Sequence, residues 1–335
     1  NADQADALIA TGYLRLGQWD STASIFQEED RLRAEVQADL TNTTASAFLG
    51  LTMSCCQCHD HKYDPLSQAD HYRMRAFFAG IKSRDDLVID LPEVCEEIES
   101  HNASLKEKIA ALRAKRVKET ATEEEKIQQE ALDKEIAALD GQIKNPRVAM
   151  GVRDNGPVAE PTFVLYQGDF HSPREQVSPG FPSVLFPGSV IPESPSQETT
   201  GRRLALAEWI TSEKNPWTAR VLVNRIWQQH FGAGLVATPN DFGYTGARPT
   251  HPELLDWLAI WLMENDWSVK KLHRLIVMSE TYQQSSVVAD DSDAANAAKA
   301  SSVDPENQLL WRQNIRRLDA ETLRDSLLSV SGLLS

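Results

Sequence analysis

Basic charge is in deficit in this chain. Lys and Arg number 34 against 49 Asp and Glu, for a formal net charge of −15. Neutralising a phosphate backbone takes clustered Lys and Arg, so nucleic acid is excluded as a partner, as is electrostatic docking on an anionic membrane. Long apolar runs are lacking as well, and none reaches the length needed to span a bilayer. Cysteine is sparse, with 4 in 335 residues. Cys55, Cys56 and Cys58 are bunched and Cys95 stands alone, which excludes a disulfide scaffold. A second C-x-x-C, which a zinc ribbon would bring, is missing. The sequence given starts at Asn1 rather than at Met, and it is expected to be a fragment without its signal peptide.

What is present is the composition of an ordinary globular protein, 41% hydrophobic and 25% charged, long enough for about two domains. The stretch that organises it is Cys55-Cys56-Gln57-Cys58-His59. Two cysteines three apart and followed at once by His have the spacing of covalent c-type haem attachment. Cys55 and Cys58 lie about one helical turn apart, so both thiols reach the vinyl groups of one porphyrin. His59 then lies beneath the ring as the proximal iron ligand. The plain structural alternative is a zinc or thiol site using Cys55, Cys58, His59 or His61, and Cys95. A thioredoxin-like dithiol would want a βαβ context, whereas the surroundings read as helix. Attachment of this kind takes place outside the cytoplasm, so the chain is expected to be a piece of a longer exported protein, periplasmic or extracellular.

The motif continues as Asp60-His61-Lys62-Tyr63-Asp64-Pro65. His61 is too near His59 to take the opposite face of one iron, and it suits substrate binding or acid–base work. The structural alternative is a turn held by the Asp64-Pro65 pair. For the sixth iron position the candidates are His71, Met74 and Met53, with an open position as the further choice.

Taken in order, Leu32, Val36 and Leu40 define a helix starting near Glu28, with a break at residues 41–44. Ser67 and Asp70 form a capping box for a helix that carries Met74, Phe77, Phe78 and Ile81 on one stripe. From Val94 to Leu112, and again from Ile127 to Ile143, apolar residues recur at spacings near 3.5. This predicts an antiparallel coiled-coil hairpin, with a Thr122–Glu125 capping box and an end at Asn145-Pro146. Residues 147–200 read as an ordered loop with one strand at 162–166, broken up by proline. Such loops line sites, which marks His171 and Arg174. Beyond Gly201 the pattern is helical: Asn215-Pro216 opens one helix and Gly232 stops it. Thr250-His251-Pro252-Glu253 caps another, with a stripe of Leu254, Trp257, Leu258, Trp261 and Leu262. Ser268 and Asp319 cap two more helices, and residues 287–304 read as a surface loop.

Two groups of motifs are familiar. Phe48-Leu49-Gly50-Leu51-Thr52 with Cys55-x-x-Cys58-His59-Asp60-His61-Lys62-Tyr63-Asp64-Pro65 resembles the C-terminal part of the planctomycete cytochrome-like PSCyt2 (DUF1549) domain. Arg220 to Gln228, Thr238-Pro239-Asn240-Asp241-Phe242-Gly243, Thr250 to Trp257 and Thr281 to Ser286 resemble its usual partner, PSD1 (DUF1553). The Cys56-Gln57 pair departs from the usual filling of the first motif. The resemblance implies a cytochrome-like part at 1–90, a variable hairpin insert at 91–146, and a PSD1 helical domain at 147–335 that is truncated at its C-terminus. It also implies a separate N-terminal cytochrome domain in the full-length protein.

The expected fold is therefore mainly α, ending in a Trp-rich helix bundle. The leading functional expectation is an exported c-type haem protein that moves electrons, with haem c on Cys55, Cys58 and His59 and a redox partner protein or the N-terminal cytochrome domain receiving them. The second is an extracellular enzyme on polysaccharide or another polymer, with Cys55, Cys58 and His59 holding haem or another metal and an active site where His61 and Asp64 face Arg225, Asp241 and His273. The third is a surface scaffold that docks a protein partner through the hairpin at 93–145.

Overall fold

The computed structural model describes residues 2–17, 20, 22–115, 123–186, 196–287 and 294–334. In chain order the helices are α1 (Ala2–Ala10), α2 (Glu29–Thr44) and α3 (Gln68–Arg75). Strand β1 (Ile81–Val88), helices α4 (Pro92–Ala114) and α5 (Glu123–Asp140), and strands β2 (Val148–Asp154), β3 (Thr162–Leu165) and β4 (Pro173–Val177) follow. Helices α6 (Arg202–Ile210), α7 (Thr218–Phe231), α8 (Pro252–Glu264), α9 (Val269–Val277), α10 (Ala294–Val303) and α11 (Ala320–Val330) complete the chain. The fold is mainly α, with two antiparallel two-stranded sheets, β1–β2 and β3–β4, among the described residues.

The chain divides into two compact units. Unit one is Asn1–Thr22, Gly80–Ala159 and Pro195–Thr200. Its frame is the β1–β2 ribbon, paired from Ile81 opposite Asp154 to Val88 opposite Val148, with a shift of register between Arg84 and Leu87. Ile81, expected on a helical stripe, opens this ribbon instead. Helix α3 ends at Arg75, and one tight turn, Ala76–Phe78, precedes the strand. The ribbon carries the predicted hairpin: α4 and α5 pack through Leu105, Ile109 and Ile136. Helix α5 stops at Asp140 rather than at Asn145-Pro146. Asn102 on α4 clamps the returning chain there, donating to the Lys144 carbonyl at 2.7 Å and accepting from its amide at 3.0 Å. The Thr122–Glu125 capping box lies outside the described residues.

Unit two is Ala23–Ala79, Glu160–Ser194 and Gly201–Ser335. Helix α2 runs through residues 41–44 without the expected break, into a wide turn at Ala45–Leu49. Thr41 tolerates helix here because its hydroxyl folds back onto the Gln37 carbonyl at 2.7 Å. The Ser67–Asp70 capping box opens α3 as predicted. Asp70 is fully buried and also accepts from the Ser183 amide and hydroxyl, both at 3.0 Å, which ties the proline-rich loop to α3.

The main core of unit two gathers Val223, Ile226, Trp227 and Phe231 of α7 with Leu255, Leu258 and Leu262 of α8 and Leu272 and Ile276 of α9. Trp257, expected on the buried stripe, is half exposed, and Leu255 takes the inward place. Helix α7 starts at Thr218, because Asn215 turns its side chain onto the Trp217 amide instead of capping the helix directly. It ends at Gly232 in a left-handed cap. His251 is the N-cap residue of α8 with no side-chain cap, so the capping box expected there does not form. Ser268 and Asp319 cap α9 and α11 as predicted. Residues 294–303, expected in a loop, form α10.

Candidate functional site

The cysteine motif occupies one tight helical turn. Residues Ser54–Gln57 are 3-10, and the Cys55 carbonyl accepts from both the Cys58 amide at 3.2 Å and the His59 amide at 3.3 Å. This closes one turn from Cys55 to His59. Cys55 and Cys58 are free thiols, and both are exposed, as is His59. Cys56 points the other way: it is fully buried, its thiol faces the Leu66 carbonyl at 3.6 Å, and burial pushes its pKa up to about 12. The departure at position 56 thus serves as a hydrophobic peg beneath the turn.

Helix α3 holds the turn from behind. The Tyr72 hydroxyl donates to the Gln57 carbonyl at 2.8 Å. The Gln68 amide group donates to the same carbonyl at 3.1 Å and to the Leu165 carbonyl at 2.8 Å. Asp60 accepts from the Gln68 backbone amide at 2.7 Å. The His59 Nδ1 lies 2.7 Å from the Asp60 carbonyl, which orients the ring and leaves Nε2 outward. Gly168 packs close against the Cys58 sulfur, where a Cβ would stand 2.9 Å from Sγ.

His71 and Met74, the sixth-ligand candidates on α3, are fully buried, as is Met53. They lie in the core, whereas Cys55, Cys58 and His59 open to solvent. Both ring nitrogens of His71 lack a hydrogen-bond partner, and burial lowers its pKa to about 4. Among the described residues no three His, Cys, Asp or Glu side chains converge in metal-binding geometry, so the zinc set of Cys55, Cys58, His59 or His61, and Cys95 is not assembled.

Four of the five residues expected around a catalytic centre meet at one joint. His61 Nδ1 accepts from the Asp64 amide at 2.8 Å and lies 3.3 Å from the Asp64 carboxylate, while its Nε2 is 3.4 Å from Thr52 Oγ1. Asp64 accepts from the Tyr244 amide at 2.6 Å. Asp241 holds the same turn from within, accepting from the Gly243 amide at 2.9 Å and the Thr245 hydroxyl at 2.7 Å. Arg225 on α7 donates to the carbonyls of Ala47 at 2.6 Å and Ser46 at 2.9 Å and to the Asn240 side chain at 2.9 Å. Gly50, at φ 61°, lets the Phe242 ring close over it and accepts from the Phe242 amide at 2.8 Å. These polar groups are turned onto backbone and onto the Thr52, Asn240 and Thr245 side chains, and the arrangement locks residues 46–64 to residues 225–245.

His273 lies elsewhere, its Nδ1 2.7 Å from His230 Nε2, with the Tyr282 ring edge-on to His230. Burial and the neighbouring His273 and Arg316 lower the His230 pKa. Sequence reasoning missed this pair. The two residues stand 43 positions apart, and the sequence reading grouped His273 with His61, Asp64, Arg225 and Asp241 rather than with His230.

The fold and site define a mainly α protein with a solvent-facing thiol–thiol–imidazole turn, keyed to a second helical segment by a backbone-directed joint. Residues 1–83 match the family PSCyt2, a protein of unknown function (DUF1549), and residues 202–335 match PSD1, a protein of unknown function (DUF1553). The chain thus carries a PSCyt2 segment followed by a PSD1 segment, and the joint links the two. No curated protein and no solved structure matches it.

Proposed function

We propose that the turn from Cys55 to His59 is the functional centre, and that it carries a haem c through two thioether bonds, making the protein an exported electron carrier. The observation that carries the reading is the single closed turn, which exposes both thiols and the imidazole on one stretch while Cys56 anchors it from below. The three residues present suit the group. Cys55 and Cys58 would hold it, and His59, with Nδ1 directed at the Asp60 carbonyl, offers Nε2 to iron. When bound, a haem supplies a one-electron iron couple.

Tyr72, Gln68 and Asp60 tie the backbone of the turn to α3. His71 and Met74 would reach the surface only if α3 unpacked. On this reading neither would hold the group, which would rest on Cys55, Cys58 and His59. The reading carries export with it, because covalent attachment takes place outside the cytoplasm. No described helix is long and apolar enough to cross a membrane.

The test is expression in a periplasm with haem-maturation machinery, followed by intact mass and absorption spectroscopy. The expected result is the mass of polypeptide plus one porphyrin, a Soret band that survives acid–acetone extraction, and loss of both in Cys55→Ala/Cys58→Ala. A spectrum unchanged by Met74→Leu follows from its burial. A matured sample with the mass of bare polypeptide would sink the proposal.

A further inference from the structure

A cavity of about 570 Å³ opens within unit two, between the first half of α2, the end of α3 and the β3–β4 hairpin. That volume suits a small organic molecule. Most of its charged lining is internally compensated. Arg31 pairs with Glu28 at 2.7 Å and Glu35 at 2.8 Å, Arg33 pairs with Glu160, and Asp30 stands exposed at the rim.

Arg75 differs. Its Nε donates to Gln37 at 3.0 Å, and its guanidinium lies 5.5 Å from the Tyr72 ring centroid. Among the described residues no carboxylate pairs with it. It is partly buried, and that burial lowers its pKa. A partly buried charge without a counter-ion is costly, and a guanidinium offers a planar fork that carboxylate, sulfate and phosphate groups match. The walls nearby are ring-shaped: Phe163, Phe170 and His171 line the cavity, and the His171 ring lies 3.8 Å from that of Phe170. His171 is one of the two loop residues that the proline-rich stretch marked in advance.

We propose that this cavity binds a small organic anion, a carboxylate or a sulfate or phosphate monoester borne on a ring, with Arg75 holding the charged group and Phe163, Phe170 and His171 flanking the ring. The site is separate from the haem reading and stands or falls without it.

The test titrates the full chain with benzoate, phenyl sulfate and phenyl phosphate, alongside neutral benzyl alcohol and inorganic sulfate, by calorimetry and saturation-transfer NMR. At least one aryl anion is expected to bind saturably, with benzyl alcohol and inorganic sulfate about tenfold weaker or more. Arg75→Gln is expected to weaken the aryl anion by about tenfold or more. Phe170→Ala, which leaves Arg75 in place, covers the case in which the Arg75 variant fails to fold, and it should weaken the same probe. Absence of saturable binding by all three aryl anions at millimolar concentration overturns the proposal. So does affinity unchanged in Phe170→Ala, or inorganic sulfate binding as tightly as phenyl sulfate.

Discussion

His71 takes both ring nitrogens into the core of unit two without a partner. Its folded pKa of about 4 lies below the ordinary 6.5. Between those values the unfolded chain binds the proton and the folded chain does not, so stability falls as pH falls through that window. The cost between pH 7 and pH 5 is about 2 kcal/mol, from roughly 1.4 kcal/mol for each unit of pH over which only the unfolded state is charged. Urea unfolding at the two values should show it in the wild type and not in His71→Leu. An equal loss in both would refute the assignment.

Asp64 and Gly243 give a second prediction at this scale. A Cβ at Gly243 would overlap the Asp64 carboxylate. Gly243→Ala and Asp64→Ala should each destabilise by about 1–3 kcal/mol, while the double variant costs clearly less than the sum, because shortening Asp64 makes room. Additive losses would show that the two do not share a joint. Thiol chemistry provides a third. Alkylation of the folded, haem-free chain should label Cys55 and Cys58 and spare Cys56, whose thiol is buried and hard to ionise. Peptide mass mapping reads the outcome directly.

At the scale of elements, much of what depends on neighbours in sequence was legible, the box at Thr250–Glu253 and the break at 41–44 excepted. The Ser67–Asp70 box, the Gly232 stop, the caps at Ser268 and Asp319 and the paired helices of the hairpin all rest on residues within one or two turns of each other. What depends on distant chain was not. Strand β1 shows little apolar alternation, with only Leu87 buried, and its partner β2 lies beyond the whole hairpin. The early end of α5 has the same origin, because Asn102 claims the backbone of Lys144 from 42 residues away. Asn102→Ala should therefore fray the stretch after Asp140 and cost about 1–2 kcal/mol, since both of its bonds go together. Faster hydrogen exchange at the Lys144 amide is the measurement, and unchanged exchange would contradict the clamp.

The candidate site was legible in part for the same reason. Cys55, Cys58 and His59 lie on one turn, and their geometry follows from spacing alone. The residue types of His61, Asp64, Arg225 and Asp241 suggested chemistry, and the fold does bring these four near one another. Residue type could not reveal that many of their partners are main-chain groups, of residues 46, 47, 64, 243 and 244. His273 shares the type but sits with His230.

For the whole molecule, the decisive fact is that each compact unit is assembled from three separate stretches of chain. Most of the PSCyt2 segment and all of the PSD1 segment fall in unit two, where Arg225 and Phe242 are capped by residues 46–50. A fragment of residues 202–335 alone would leave those groups without their partners. It is expected to lack the cooperative thermal transition of the full chain when followed by circular dichroism. A sharp, native-like transition in the fragment would show that the joint is dispensable.

The β1–β2 ribbon has a practical corollary. Val88 faces Val148 across the pair, and Ile89 donates to the Arg147 carbonyl at 3.0 Å. Arg147 and Asp90 then clasp the base, with the guanidinium 2.6 Å from the carboxylate. Everything between them leaves and returns through one doorway. A foreign module whose own ends lie a strand's width apart, about 5 Å, could be grafted in place of the helices without retuning the scaffold.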